Sequence, residues 1–304
     1  MDRTIRTAFI AIALINFCLC NVLAQTKVPK EFPKFYKEGH RGGTGLMPEN
    51  TIPAMKKAVE VGANVIEVDV YTTKDGKVII THDPHINWKI SLTKDGKELT
   101  EEEAKSYPVH KMNYEDVRQF DIGSKYYPPF HDQKKIKTYI PLLSELIDSV
   151  EQYTAAKKLP GVIYNIELKT STSYDDVLNA RPAELVDAVM AVVRSKKIGD
   201  RFYIQSFDKR PLQYAHEKYP KVTLGFLVSN KDTFDENIKQ LGFVPEIYSP
   251  NFKLVTADLV QQCKKVGTRL VVWTVNTKED INNLKQLGVD GIITDYPNYL
   301  SGLN

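Results

Sequence analysis

Val65 to Asp83 reads VIEVDVYTTKDGKVIITHD. Two β-rich runs flank Asp75-Gly76, and Asp-Gly between alternating residues is a strong hairpin signal. In the first run Glu67 and Asp69 stand at i and i+2 of an otherwise apolar strand, so they share one face. In a closed barrel that face points inward. Two like charges facing one interior repel and resist burial unless a cation lies between them. With a two-residue loop at Asp75-Gly76, Lys74 pairs with Lys77 and Asp69 lies opposite His82, so Glu67, Asp69 and His82 project together. A three-residue loop with a bulge would shift this pairing by one.

Outward from the hairpin, short β-rich runs alternate with helical segments, the pattern of βαβ units and a parallel sheet. The strands expected are 35–40, 65–70, 161–169, 201–206, 222–228, 246–249, 269–275 and 291–294. Eight parallel strands predict a (β/α)8 TIM barrel, with the second run of the hairpin as an extra antiparallel strand beside it. Helices are expected from Thr51, as cap, to about Val61, and over 181–197, 209–219, 256–266 and 278–287. The rival doubly wound sheet usually carries GxGxxG after its first strand. His40-Arg41-Gly42-Gly43 does not fit that motif. Residues 84–140 lack the alternation and form a small insertion after the third β segment. It holds Trp88, Tyr107, Tyr126, Tyr127 and Phe130, and it is either a substrate-selecting loop at the barrel mouth or a plain loop packed by its own aromatics.

The 304 residues are enough for one sizeable core, and barrels of ~250 residues are routinely single units. With 41 basic and 38 acidic residues the formal charge is +3, which gives no case for nucleic-acid binding. Arg3 and Arg6 precede an apolar run from Ala8 to Leu19, and Val22-Leu23-Ala24 offers a cleavage site. The organisation expected is a signal peptide over 1–24 and one barrel domain over 25–304, secreted or periplasmic, with no stable membrane insertion. The alternative is a cytosolic chain with an apolar first helix. Cys18 and Cys20 fall in the signal, so Cys263 alone remains and no intramolecular disulfide can form in the mature chain. Cys263 reads as a buried small hydrophobe.

The second strand with inward charge is Asn165-Ile166-Glu167-Leu168-Lys169, where Glu167 and Lys169 share a face. Glu67, Asp69 and Glu167 converging at barrel-strand ends suit one hard cation, Ca2+ or Mg2+; the plainer alternative is a set of structural salt bridges. His40 and His82 each end a strand, on the side where barrels carry their active sites. Two imidazoles beside a carboxylate cluster suit general acid–base work. Arg41 and Lys169 can contact phosphate oxygens. Together these groups describe a site for a small phosphate diester. Trp273 ends a strand and forms either an apolar wall beside the substrate or barrel filling. Glu49 and Asn50, at the start of the first helix, either support His40 and Arg41 from behind or cap the helix.

Eight motifs run in order along the chain: His40-Arg41-Gly42, Pro48-Glu49-Asn50-Thr51, Glu67-x-Asp69, His82-Asp83, Ile166-Glu167-Leu168-Lys169, Gln205-Ser206-Phe207, Trp273-Thr274-Val275-Asn276 and Thr294-Asp295-Tyr296-Pro297. This set resembles the glycerophosphodiester phosphodiesterase family. The resemblance implies a (β/α) barrel with a small insertion and a divalent cation held by Glu67, Asp69 and Glu167. It implies that His40 and His82 act as general base and general acid. It also implies attack by the glycerol 2-hydroxyl on phosphorus, a cyclic phosphate, and its hydrolysis to glycerol 3-phosphate. Two rivals stand beside it. A phospholipase-like relative acting on lysophospholipid or phosphoinositide head groups would show an apolar rim in residues 84–140. A non-catalytic binding protein would lack a histidine or a carboxylate of the set, and none is missing.

Overall fold

The computed structural model describes residue 29 and residues 32–303. The signal segment expected at 1–24, with Cys18 and Cys20, lies outside the described residues. No helix among those described is long and apolar enough to cross a membrane.

In chain order, β1 (Tyr36–Gly39) leads to α1 (Ile52–Glu60), and β2 (Val65–Thr72) folds back as β3 (Val78–Ile80). The insertion then contributes α2 (Glu101–Ala104) and α3 (Tyr114–Val117). α4 (Leu143–Lys157), β4 (Ile163–Leu168), α5 (Pro182–Arg194), β5 (Phe202–Ser206), α6 (Lys209–Lys218) and β6 (Leu224–Val228) resume the alternation. α7 (Phe234–Leu241), β7 (Ile247–Pro250), α8 (Ala257–Val266), β8 (Arg269–Val272), α9 (Lys278–Leu287) and β9 (Gly291–Thr294) complete it. Strand order is β1-β9-β8-β7-β6-β5-β4-β2-β3, and a parallel β1–β2 pairing closes eight strands into a barrel with β3 antiparallel on the end of β2. The fold is the (β/α)8 TIM barrel.

α1 forms where expected, with Thr51 Oγ1 accepting from the Ala54 N–H and Pro53 in its first turn. Four of the described helices were not among those expected: the short α2 and α3 of the insertion, and α4 and α7. α4 has no side-chain N-cap, so its start leaves no capping signal, and α7 is only 8 residues long.

Outward faces of the strands pack on the helices: Ile66, Val68, Ile166 and Ile204 belong to one cluster with Met55, Leu146, Leu185 and Leu212. Cys263 is buried in the same cluster, and burial pushes its thiol up to about 12, as for an inert structural cysteine. The inward residues Tyr36, Val65, Ile163, Tyr203, Ile247, Val271 and Ile293 plug the N-terminal end of the barrel. Above them the interior turns polar. Glu38 is fully buried and accepts from Asn165 Nδ2 at 2.5 Å and the Tyr203 hydroxyl at 2.8 Å. Burial raises its carboxyl to about 7 against the pull of those two donors.

The hairpin register differs from the two-residue-loop expectation. Val70 pairs with Ile80 and Thr72 with Val78, and the Thr81 N–H reaches the Asp69 carbonyl at 3.0 Å. Asp69 therefore lies opposite Thr81, not His82. The loop is Lys74-Asp75-Gly76, with Gly76 at φ +73°, the three-residue form that ends in a left-handed residue. Two bonds explain the choice. The Asp75 carboxylate accepts from the Thr73 hydroxyl at 2.7 Å and from the Tyr114 N–H of the insertion at 3.0 Å. Tyr71 and Ile79 of the hairpin then become the floor of a separate insertion core with Ile86, Val109, Val117 and Phe120.

Gly76 has open space where a Cβ would stand, so substitution there tests backbone conformation alone. Gly76→Ala is expected to lose about 1–2 kcal/mol of stability, the usual cost of a left-handed non-glycine residue, and Gly76→Asn distinctly less. Equal unfolding midpoints for the two variants would contradict the left-handed loop.

Candidate active site

The inward alternation of β2 carries Val65, Glu67 and Asp69 up the barrel axis in that order, and the parallel register sets Asp69 beside Glu167 of β4. All three carboxylates are buried, and one oxygen from each lies within 4.8 Å of the others. The turn after β1 closes over them. Arg41 adopts a left-handed conformation with φ 49°, which aims its backbone N–H at Glu67 Oε2, 2.7 Å away. A side chain at Gly42 would strike Ala54 at 2.9 Å, so the glycine lets this turn seat on α1. The Arg41 guanidinium meets Glu49 at 3.0 Å and Asp69 at 3.3 Å. Asn50, itself at φ 57°, donates to Asp69 Oδ2 at 2.8 Å and accepts the Asp69 N–H at 3.2 Å. Lys169 Nζ lies 2.6 Å from Glu167 and 3.2 Å from Asp69. Glu49 and Asn50 thus hold charged groups of the cluster, while Thr51 is the helix cap.

These contacts split the electrostatics. Burial would raise Asp69, but Lys169, His82, Arg41 and Asn50 outweigh it and hold its carboxyl below the usual range. Glu67 goes the other way: burial, then the charges of Asp69 and Glu167, raise its carboxyl well above the usual 4.5. Its Oε1 is buried without a hydrogen-bond partner among the described residues. Arg41 and Lys169 bring two positive charges to the four carboxylates Glu49, Glu67, Asp69 and Glu167. Full ionisation leaves two negative charges unmatched, the charge of one divalent cation. An all-oxygen donor set with one orphaned buried oxygen fits a hard cation.

The histidines face the same space. His40, Arg41, Glu67, His82, Glu167, Lys169, Gln205, Phe207 and Trp273 line one cavity of about 210 Å³. Each imidazole has a carboxylate on Nδ1: Asp295 at 2.6 Å from His40, Asp83 at 2.9 Å from His82. Burial opposes ionisation of both carboxyls, yet their histidines draw both below the usual range. Each carboxylate accepts the Nδ1–H and leaves Nε2 for proton exchange. Trp273 is pinned by a 2.8 Å bond from Nε1 to the Ser249 carbonyl and packs edge-on against Phe207, centroids 5.2 Å apart. It forms a wall of this cavity.

The model of the glycerophosphoryl diester phosphodiesterase family matches residues 40–299. The chain belongs to this family. A Bacillus altitudinis glycerophosphodiester phosphodiesterase is 30% identical over 262 residues, 85% of this chain and 93% of that protein. The solved structure of a candidate glycerophosphoryl diester phosphodiesterase from Silicibacter pomeroyi superposes with a TM-score of 0.78 at 30% identity, covering 88% of this chain and 92% of that one. An Oleispira antarctica phosphodiesterase, solved with the product sn-glycerol-3-phosphate, shares the fold with a TM-score of 0.67 at 24% identity, covering 86% and 93%. The protein is accordingly a phosphoric diester hydrolase of this family.

Four residues of this candidate site had no role in the sequence reading, although all lie in its motifs. Asp83 and Asp295 orient the histidines. Asn276 grips Asp295 through its side-chain amide, donating to Oδ2 at 2.6 Å and accepting the Asp295 N–H at 2.9 Å. Gln205 pairs in register with Glu167, and its Oε1 is buried without a hydrogen-bond partner among the described residues.

The opposed shifts yield a stability test. Asp69 is lowered, so its ionised form stabilises the fold at neutral pH and that contribution fades as the pH falls. Glu67 is raised, so the metal-free fold is penalised as the pH climbs past 4.5. Metal-free Glu67→Gln is expected to melt above metal-free wild type at pH 7, and to gain far less than wild type from added Ca2+ or Mg2+. Equal gains in the two proteins, by calorimetry with and without chelator, would remove Glu67 from the cation site.

Proposed function

We propose that the enzyme hydrolyses glycerophosphodiesters to glycerol 3-phosphate and an alcohol, with His40 and His82 as the acid–base pair. The observation that carries this reading is the convergence of two carboxylate-oriented imidazoles, Arg41 and Lys169 on one carboxylate-lined cavity. Glu67, Asp69 and Glu167 would hold one divalent cation, Ca2+ or Mg2+. When bound, such a cation neutralises phosphoryl oxygens and acidifies a nearby hydroxyl.

The remaining chemistry belongs to the chain and the substrate. Arg41 and Lys169 bind the phosphoryl oxygens, and Trp273 walls the glycerol. Asp295 and Asp83 keep each Nδ1 protonated, so His40 Nε2 takes the proton of the glycerol 2-hydroxyl as its oxygen bonds to phosphorus. The phosphorus–oxygen bond to the alcohol breaks, and His82 Nε2 supplies the proton to the departing oxygen. The product of this half is a cyclic phosphate. In the second half His82 takes a proton from water, the water oxygen bonds to phosphorus, the ring bond to the 2-oxygen breaks, and His40 returns its proton. An internal hydroxyl brings a large effective concentration, worth up to about 7–11 kcal/mol in favourable cases. No Ser or Cys nucleophile is needed. The sn-glycerol-3-phosphate held by the Oleispira antarctica phosphodiesterase is the product this reaction would leave.

The phospholipase-like alternative expects an apolar rim on the insertion. Among the described residues of 84–140, one large apolar side chain, Tyr126, is exposed, which favours a small soluble diester over a lipid surface. Export rests on residues 1–24 alone, and a mature N-terminus at residue 25 is its expected signature.

His40→Ala and His82→Ala are each expected to lower turnover by roughly 10²–10⁴-fold while folding is kept. Asp295→Asn should cost roughly 10–100-fold, as for a group that orients a functional histidine. Near-normal turnover in both histidine variants would end the acid–base assignment. A 2-deoxyglycerol analogue should bind without being cleaved. Equal rates on it and on a glycerophosphodiester would rule out internal attack and leave the hydrolase standing.

A further inference from the structure

A second cavity, of about 460 Å³, opens beside the first between the insertion and the barrel mouth. Arg41 and His82 line both. A phosphate seated on Arg41 beside His82 therefore has one ester arm in each cavity. The smaller one carries the Trp273 wall and His40 and takes the glycerol. The larger takes the alcohol, next to the imidazole that protonates it. This partition rests on the phosphodiesterase reading above and asks what alcohol the larger groove is built for.

Its walls answer by chemistry. The half-buried rings of Trp88 and Tyr127 stand in a groove that also presents polar groups, among them His85 and Asn87, beside the apolar Pro84, Ile86 and Ala104. A flat apolar ring with hydrogen-bonding neighbours suits a ligand with a C–H face and a hydroxyl edge. Two ammonium groups already sit against Trp88, Lys89 Nζ at 5.7 Å and Lys125 Nζ at 6.0 Å from its centroid. Lys125 is fixed there by Glu98 at 3.0 Å and the Trp88 carbonyl at 2.7 Å. A cationic alcohol seeking this ring would find it already occupied by Lys125, itself paired with Glu98, and would meet the like charge of Lys89. The groove's carboxylates do not offset that: Glu49 holds Arg41 and Asp83 holds His82, and Glu101 is exposed at the rim. The lining cations Arg41 and Lys105 are tied in the same way, to Glu49 at 3.0 Å and Glu102 at 2.8 Å, so they offer an anionic alcohol little more. We propose that the groove between His82 and α2 selects a neutral polyhydroxylated alcohol, stacked on Trp88, as the leaving group of the preferred diester.

The test is release of glycerol 3-phosphate by the enzyme with its divalent cation, from glycerophosphoinositol, glycerophosphocholine and glycerophosphoethanolamine. The inositol diester is expected to have a kcat/KM about tenfold or more above the other two. Trp88→Ala should lower that preference about tenfold, chiefly through KM, and Trp88→Phe should keep most of it. Lys89→Glu should move the preference toward the choline diester. The inference is overturned if wild type prefers the choline or ethanolamine diester, or if the preference is unchanged in active Trp88→Ala and Lys89→Glu. Absence of release from all three diesters overturns the activity reading itself, and the inference with it.

Discussion

Three carboxylates share one small volume at the mouth of the barrel, and the residues around them are arranged to make that tolerable. Asp69 is fully buried and bound from three sides by Arg41, Asn50 and Lys169. Glu67 has the Arg41 backbone N–H on one oxygen and, among the described residues, no hydrogen-bond partner on the other. The strained turn at Arg41 and Asn50, both left-handed, follows from this need. It brings a backbone donor, a guanidinium and an amide to the cluster from one short segment, as strained residues at functional sites commonly do. Like charges buried this closely ask for a counter-ion, and with Glu49 counted as the fourth carboxylate the two basic side chains supply only half of the charge required.

That demand ties the proposed catalytic groups to the fold. The same Lys169 and Arg41 that hold the carboxylates would reach phosphoryl oxygens, so the anion and the cation would meet on shared residues. The histidines flank this point and are steered from outside it by Asp295 and Asp83. The site is therefore a layer at the C-terminal ends of β1, β2, β4, β8 and β9, resting on an interior whose lower half is apolar. Active sites in this fold sit at that face because loops there can vary while the packed barrel below stays fixed.

What the sequence made legible follows from locality. Glu67 and Asp69 could be read as inward because two charges at i and i+2 interrupt an apolar strand, and Glu167 repeats the pattern. One of the two reasons for expecting His82 in the site fails: its pairing with Asp69 assumed a two-residue loop, whereas Asp75 is bonded to Thr73 and Tyr114 and the register slips by one. His82 lies two residues beyond Ile80, the last of β3, and lines the cavity from there. The Asp295 partner of His40 is 255 residues away and meets it only when β9 closes against β1, with Gly39 beside Thr294; no local pattern carries such a contact. The groove along Trp88 is equally non-local, since it exists only after the insertion packs on Tyr71 and Ile79.

The central claim is that Glu67, Asp69 and Glu167 are the ligands of a divalent cation and not merely salt-bridge partners of Lys169 and Arg41. The most direct measurement is a crystal structure of the protein grown with Ca2+. The account predicts one Ca2+ within about 2.3–2.6 Å of an oxygen from each of the three carboxylates, with Lys169 no longer the closest positive charge to Glu167. Crystals saturated with Ca2+ in which Lys169 Nζ still bridges Asp69 and Glu167, with no ion between the three side chains, would contradict it.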